Sequence, residues 1–149
     1  MADVKIIKQL REETQASIAD CTKALTESGN DYKKAIEWLK KRGIEKAEKK
    51  AERETKQGLV EAYVHLNGKV GVLVEVLCET DFVARTDEFK NLAHEIAMQV
   101  AAMDPKNVAE LLKQEYIRDG SLTIEQLVKS VIGKLGENIV VKSFSRIEI

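Results

Sequence analysis

Proline is almost absent, with Pro105 alone in 149 residues, so few positions forbid a continuing helix. Aromatic residues make up only 5% of the chain, too few for a stacking platform that would hold single-stranded nucleic acid. The two cysteines, Cys21 and Cys78, lie far apart, which excludes a disulfide framework and a paired-cysteine zinc pattern. No apolar run approaches the roughly 18 residues of a membrane span. Met1 to Leu10 carries Asp3, Lys5 and Lys8 and has no apolar stretch of signal-peptide length. No charge of one sign dominates either. Lys and Arg number 24 against 25 Asp and Glu, a net charge of -1, so the global basic excess of a nucleic-acid binder is missing. Neither a GxxxxGK[ST] loop nor a GxGxxG turn occurs. These absences point to a reducing, cytoplasmic setting, with membrane and nucleic acid both unexpected as partners.

What is present is a globular composition, 44% hydrophobic and 33% charged. Its charge is divided. Residues 1–57 hold 14 Lys/Arg against 11 Asp/Glu, a net of +3, and residues 58–149 hold 10 against 14, a net of -4. The first part reads as helical. Val4, Ile7 and Leu10 predict a helix from Val4 to Glu13. Thr14 or Ser17 can cap a second, with Ile18, Cys21, Ala24 and Leu25 on one stripe and Gly29 at its end. Asp31 caps a third, with Tyr32, Ala35, Ile36 and Leu39 on one face and Gly43 as its expected stop. Three short helices make a small core, expected to serve as a docking module. Residues 44–57 are nearly all charge and alanine and read as a thin solvated linker helix.

From Gly58 the period changes. LVEAYVHL, Asn67-Gly68 and KVGVLVEVLCE predict a hairpin with a two-residue type I′ turn. The second strand is apolar at most positions, so burial on much of both faces is expected. A helix follows from Asp87 to Met103, with Phe89, Leu92, Ala93, Ile96, Ala97, Val100 and Met103 inward, and Pro105 ends it. A short helix near Val108 to Gln114 comes next. Thr123 and Gln126 form a capping box for a helix closed by Gly136, and NIVVKSFSRIEI reads as a last strand. The fold class expected is α+β.

Catalytic chemistry is hard to find. His65 sits beside the hairpin turn and His94 among helical core positions, and neither has an evident nucleophile and orienter. A Cys78–His65 dyad is the one thiol alternative, although Cys78 lies among Val and Leu, where a thiol is inert. Lys40 to Lys56 holds 8 Lys/Arg against 4 Glu. It reads as a solvated face, or as a nucleic-acid contact that the interleaved glutamates oppose. Phe82 is left with two readings. Its spacing to Phe89 suits a core residue, and its flanks Thr80, Asp81 and Arg85 suit an exposed wedge offered to a partner.

The residues of four segments resemble those of a known family. They are Asp20-Cys21-Thr22-Lys23-Ala24-Leu25, RGIEKAEKKAERETKQG at 42–58, CETDFVARTDEF at 78–89 and KLGENIVVKSF at 134–144. Together they are similar, in order, to bacterial elongation factor Ts, the guanine-nucleotide exchange factor for elongation factor Tu. The resemblance implies a ubiquitin-associated-like three-helix domain at 1–43, a charged linker at 44–57 and an α+β core with a three-stranded antiparallel sheet at 58–149. It implies a non-catalytic protein without cofactor or metal, binding elongation factor Tu with GDP and without nucleotide. Thr80, Asp81, Phe82, Val83, Ala84 and Arg85 would dock beside the nucleotide's magnesium and promote GDP release. Arg11, Ile18 and Ala19 would supply a second grip on the same GTPase domain. Many members have Gly-Ala-Gly and Met-Met where Gln15-Ala16-Ser17 and Ile18-Ala19 stand here. Longer members also carry a second half of the core and a helical hairpin, which the stretch from Met103 to Leu127 leaves no room for. A homodimer, with a second subunit supplying the missing half, is therefore expected.

Overall fold

The computed structural model describes residues 3–149. Three helices come first, α1 Val4–Thr14, α2 Ile18–Glu27 and α3 Tyr32–Lys50. Each begins with the side-chain cap its sequence offers: Asp3, Ser17 and Asp31 accept from Lys5, Asp20 and Lys34 backbone N–H groups. Their inward residues Leu10, Cys21, Ala24, Leu25, Ala35 and Leu39 form a small separate core.

The expected stop at Gly43 is not taken. α3 runs through it to Lys50, so residues 44–50 continue the third helix, and residues 51–56 are turn and coil. Gly43 needs no left-handed conformation here, and nothing else breaks the helix. Nor is this stretch free in solvent. Ala47 is buried in the large core, and Lys129 Nζ lies 3.5 Å from Glu48 Oε1. The reason is a close helix crossing. A Cβ placed on Gly133 would come within 2.9 Å of the Gly43 Cα and 3.0 Å of its carbonyl oxygen. The two backbones touch where neither residue has a side chain. Lys46 and Asp20 form an ion pair that ties α2 to α3, and this pairing lowers the Asp20 pKa from its usual value.

The core follows as β1 Gln57–Val64, β2 Val70–Cys78, the single turn α4 Asp81–Ala84, α5 Asp87–Met103, α6 Val108–Lys113, β3 Glu115–Tyr116, β4 Asp119–Thr123, α7 Ile124–Leu135 and β5 Ile139–Glu148. β1, β2 and β5 make a three-stranded antiparallel sheet in that spatial order, packed by helices, so the fold is α+β. The β1–β2 register is centred on Asn67-Gly68 as the sequence suggests, but the turn is not type I′. That turn needs a positive φ at both central residues, and only Gly68 has one, at 72°. The loop is instead closed by the Gly68 N–H donating to the His65 carbonyl.

The expectation that β2 is buried on both faces is also corrected. Val72, Val74, Val76 and Cys78 point into the core beneath α5, while Leu73 on the other face is 51% exposed. β5 stays in step with this one-sided sheet by a bulge. Glu75 pairs with Ser143 but Val76 pairs with Val141, leaving Lys142 as the extra residue. Without it the period of two would turn Phe144 and Arg146 outward. With it, Ile139 and Val141 face the core on one side of the bulge, and Phe144 and Arg146 on the other.

The two glycines at the crossing predict opposite effects. Gly133→Ala forces backbone apart and lowers stability by about 1–3 kcal/mol, seen as a drop of roughly 3–10 °C in the thermal midpoint. Gly43→Ala meets nothing within 4 Å, so it leaves the midpoint unchanged or raises it through better helix propensity.

Candidate functional site

The segment after β2 turns sharply at Thr80. Thr80 caps α4, its hydroxyl oxygen accepting from the Val83 N–H at 3.3 Å. A four-residue helix cannot hold itself together, and two anchors hold this one. Val83 and Ala84 are buried in the large core. Thr80 is clasped by Glu137 from the loop after α7: its N–H donates to Oε1 at 2.9 Å and its hydroxyl to Oε2 at 2.7 Å.

On this base Phe82 stands in solvent, 83% exposed. The spacing to Phe89 does not place it in the core. Phe89 is fully buried from α5, whereas Phe82 belongs to a separate helical turn with its own phase. Asp81 and Arg85 flank it, paired at 2.6 Å between Oδ2 and Nη2. The six-residue segment is therefore divided. Thr80, Asp81, Phe82 and Arg85 are exposed, and Val83 and Ala84 support them from inside.

Arg11, Ile18 and Ala19 are exposed on either side of the α1–α2 connection, Arg11 in the last turn of α1 and the other two in the first turn of α2. The connection itself lines a groove of about 500 Å³ against α7, whose facing residues include Gln126, Ser130 and Lys134. Both candidate regions are thus organised along α7: the α1–α2 corner lies across from its length, and the Thr80–Arg85 segment is bonded to the loop at its end.

Sequence reasoning assigned no role to the residues that support this tip. Glu79 Oε1 accepts from the Asn138 N–H at 2.8 Å, reciprocating the bond from Thr80 to Glu137. The Asn138 side chain, buried, donates to the carbonyls of Ala51 at 3.3 Å and Arg53 at 2.8 Å, where the chain leaves α3. Glu79 lies in the 78–89 segment and Glu137 and Asn138 in the 134–144 segment that carry the family resemblance, but neither segment shows by itself that the two meet.

Cys78 points into the core and His65 is exposed at the far end of the hairpin, so the dyad is not formed. Burial pushes the Cys78 thiol up, and the nearby Glu137 carboxylate adds to this. Tyr116 is pushed up to about 12 by burial and by Glu95, far from a useful acid or base. Among the described residues no cluster of His, Cys, Asp or Glu could hold a metal ion, and no helix is long and apolar enough to cross a membrane.

The family whose sequence model is described as Elongation factor TS matches residues 79–149. The elongation factor Ts of Coprothermobacter proteolyticus is 44% identical, with 95% of this chain and 94% of that protein aligned. That of Thermotoga petrophila is 44% identical over 97% of this chain and 94% of its own length. That of Rippkaea orientalis is 43% identical over 98% and 78%. This chain belongs to the elongation factor Ts family. The aligned stretches, 186 to 194 residues in these three, are longer than the chain, so these relatives hold internal residues without a counterpart here.

The burial of both thiols is directly measurable. Iodoacetamide near neutral pH is expected to leave Cys21 and Cys78 unmodified in the folded protein and to label both after denaturation, read by intact mass. Rapid native labelling of Cys78 would contradict its inward placement.

Proposed function

We propose that this protein is a translation elongation factor that binds elongation factor Tu and promotes release of its GDP, acting without covalent catalysis. The observation that carries this is the exposed Phe82 on a braced turn. A large aromatic side chain left in water on a structure held from below is built to be buried by something else. Phe82 enters the GTPase near its magnesium and nucleotide, with Asp81 and Arg85 exchanging their mutual pairing for contacts on the partner. Arg11, Ile18 and Ala19 supply a second grip from the three-helix, ubiquitin-associated-like part at 1–43, and the core at 58–149 presents the wedge.

Linkage sets the requirement. If the protein favours the nucleotide-free GTPase, it weakens GDP binding by the same factor by which GDP weakens its own. Burying one Phe side chain is worth about 1.5–3 kcal/mol, or about 10- to 150-fold. The second grip supplies the rest by holding the wedge in place.

The same reading includes a homodimer, supported by the outer face of the sheet. Rows across the three strands bring together Val60, Glu75 and Ser143; Ala62, Leu73 and Ser145; and Val64, Gly71 and Ile147. Val60, Val64, Leu73 and Ile147 are exposed, and no described residue covers them. Glu75 and Lys142, the charged pair at this face, lie 4.0 Å apart with opposite signs. A nearly neutral apolar surface of this kind suits a second copy of itself.

Release of a fluorescent GDP analogue from bacterial elongation factor Tu tests the exchange reading. The intact chain is expected to speed release, and Phe82→Ala to lose at least about tenfold of that stimulation. The variant's thermal midpoint and circular dichroism should not change, because the side chain it removes is exposed. Failure of the intact chain to speed release overturns the reading. For the dimer, multi-angle light scattering should give twice the 16.7 kDa chain mass, reverting to one chain with Leu73→Lys. A monomeric parent at micromolar concentration removes the dimer.

A further inference from the structure

The Phe82 side chain makes none of the contacts that fix its direction. Its aim depends on the backbone of a four-residue turn. Besides the burial of Val83 and Ala84, a chain of three polar groups holds that turn. The Val83 N–H donates to Thr80 Oγ1, the same hydroxyl donates to Glu137 Oε2, and the Thr80 N–H donates to Glu137 Oε1. By accepting from the hydroxyl, Glu137 turns its O–H away and leaves an oxygen lone pair of Thr80 facing the Val83 N–H. Hydrogen bonds in such a chain polarise and strengthen one another. An alternative orientation of the hydroxyl would open the cap.

Glu137 also stands at a junction of three segments. Its neighbour Asn138 donates its N–H to Glu79 and its amide to Ala51 and Arg53, and Arg53 Nη1 lies 3.6 Å from Glu79 Oε1. The exit of α3, the start of α4 and the loop after α7 are therefore bound into one unit. α3 carries the three-helix bundle, so the unit links the two proposed docking elements.

We infer that Glu137 is a positioning residue for nucleotide exchange: it sets the Thr80 cap, and through it the direction of Phe82 relative to the rest of the molecule. This inference rests on the exchange reading. Glu137 does not have to touch the partner. Its carboxylate acts by restricting the tip to the conformation that enters the GTPase, so that binding does not have to select that conformation from many.

The test compares Glu137→Ala with the parent chain in two measurements. In the free protein, hydrogen exchange at the Val83 amide should speed by about tenfold in the variant, with a thermal midpoint within about 5 °C of the parent. In release of fluorescent GDP from elongation factor Tu, the maximal stimulated rate should fall by about tenfold. Glu137→Gln, which keeps one acceptor oxygen for two donors, should recover part of it. The decisive comparison is made in the Phe82→Ala background, where Glu137→Ala should cause a much smaller further loss, because only the Asp81 and Arg85 contacts remain to aim. An additional loss of similar size there means Glu137 acts by general stability or by its own contact, and overturns the inference. Equal stimulation by the parent and Glu137→Ala overturns it too while leaving the exchange reading intact. If the parent chain does not stimulate release at all, the exchange reading falls and this inference falls with it, whatever the amide shows.

Discussion

The contact between α3 and α7 at Gly43 and Gly133 is the constraint on which the arrangement of the whole molecule depends. Helices carrying ordinary side chains at a crossing lie about 8–10 Å apart. Here a Cβ on Gly133 would reach 2.9 Å from the Gly43 backbone. The close approach lets one helix belong to two cores. Ala35 and Leu39 of α3 pack with Leu10, Cys21 and Leu25, while Ala47, two turns on, packs in the large cluster. The small core would be marginal by itself. Its third helix is held from outside, so the bundle and the groove beside the α1–α2 connection keep a defined position against α7.

The second organising feature is the division of labour within one helical turn. Thr80 to Arg85 combines two buried anchors, two charged flanks, a cap and an unburied aromatic ring. Exposure of Phe82 forgoes the stability that its burial would bring. That forgone stability is available on binding, which is the physical basis for reading the tip as a contact surface. The sheet follows the same logic on a larger scale. Its inner face is buried by α5, and its outer face leaves valine, leucine and isoleucine in solvent, kept in register across the strands by the bulge at Lys142.

Much of the architecture was legible in advance, for local reasons. The caps at Ser17 and Asp31, the capping box of Thr123 and Gln126, and the span of α5 each depend on residues within a few positions of one another. The Asn67-Gly68 register and the inward stripe of α5 from Phe89 to Val100 are local as well, whereas Met103, expected inward, is exposed, and Glu95 and Gln99 are buried by the β3–β4 segment instead. The failures came where a distant segment decided. Glycine usually favours a helix stop, but at Gly43 α7 supplies packing that a break would lose. A stripe of only Ala and Ile at 44–51 suggests a solvated linker, yet small residues are what a close crossing requires. Spacing from Phe82 to Phe89 carries meaning only within one continuous helix, and the chain turns at Thr86.

The sequence by itself determined the helices, the hairpin, the α+β class and the family, because caps, periodicity and an ordered set of motifs are properties of neighbouring residues. The tertiary structure alone decided which face of the sheet is bare, that Phe82 points outward, and that Glu79, Glu137 and Asn138 bind three segments together. These depend on contacts between residues as far apart as Ala51 and Asn138, whose meeting is set by the packing of whole elements and leaves no trace in local spacing.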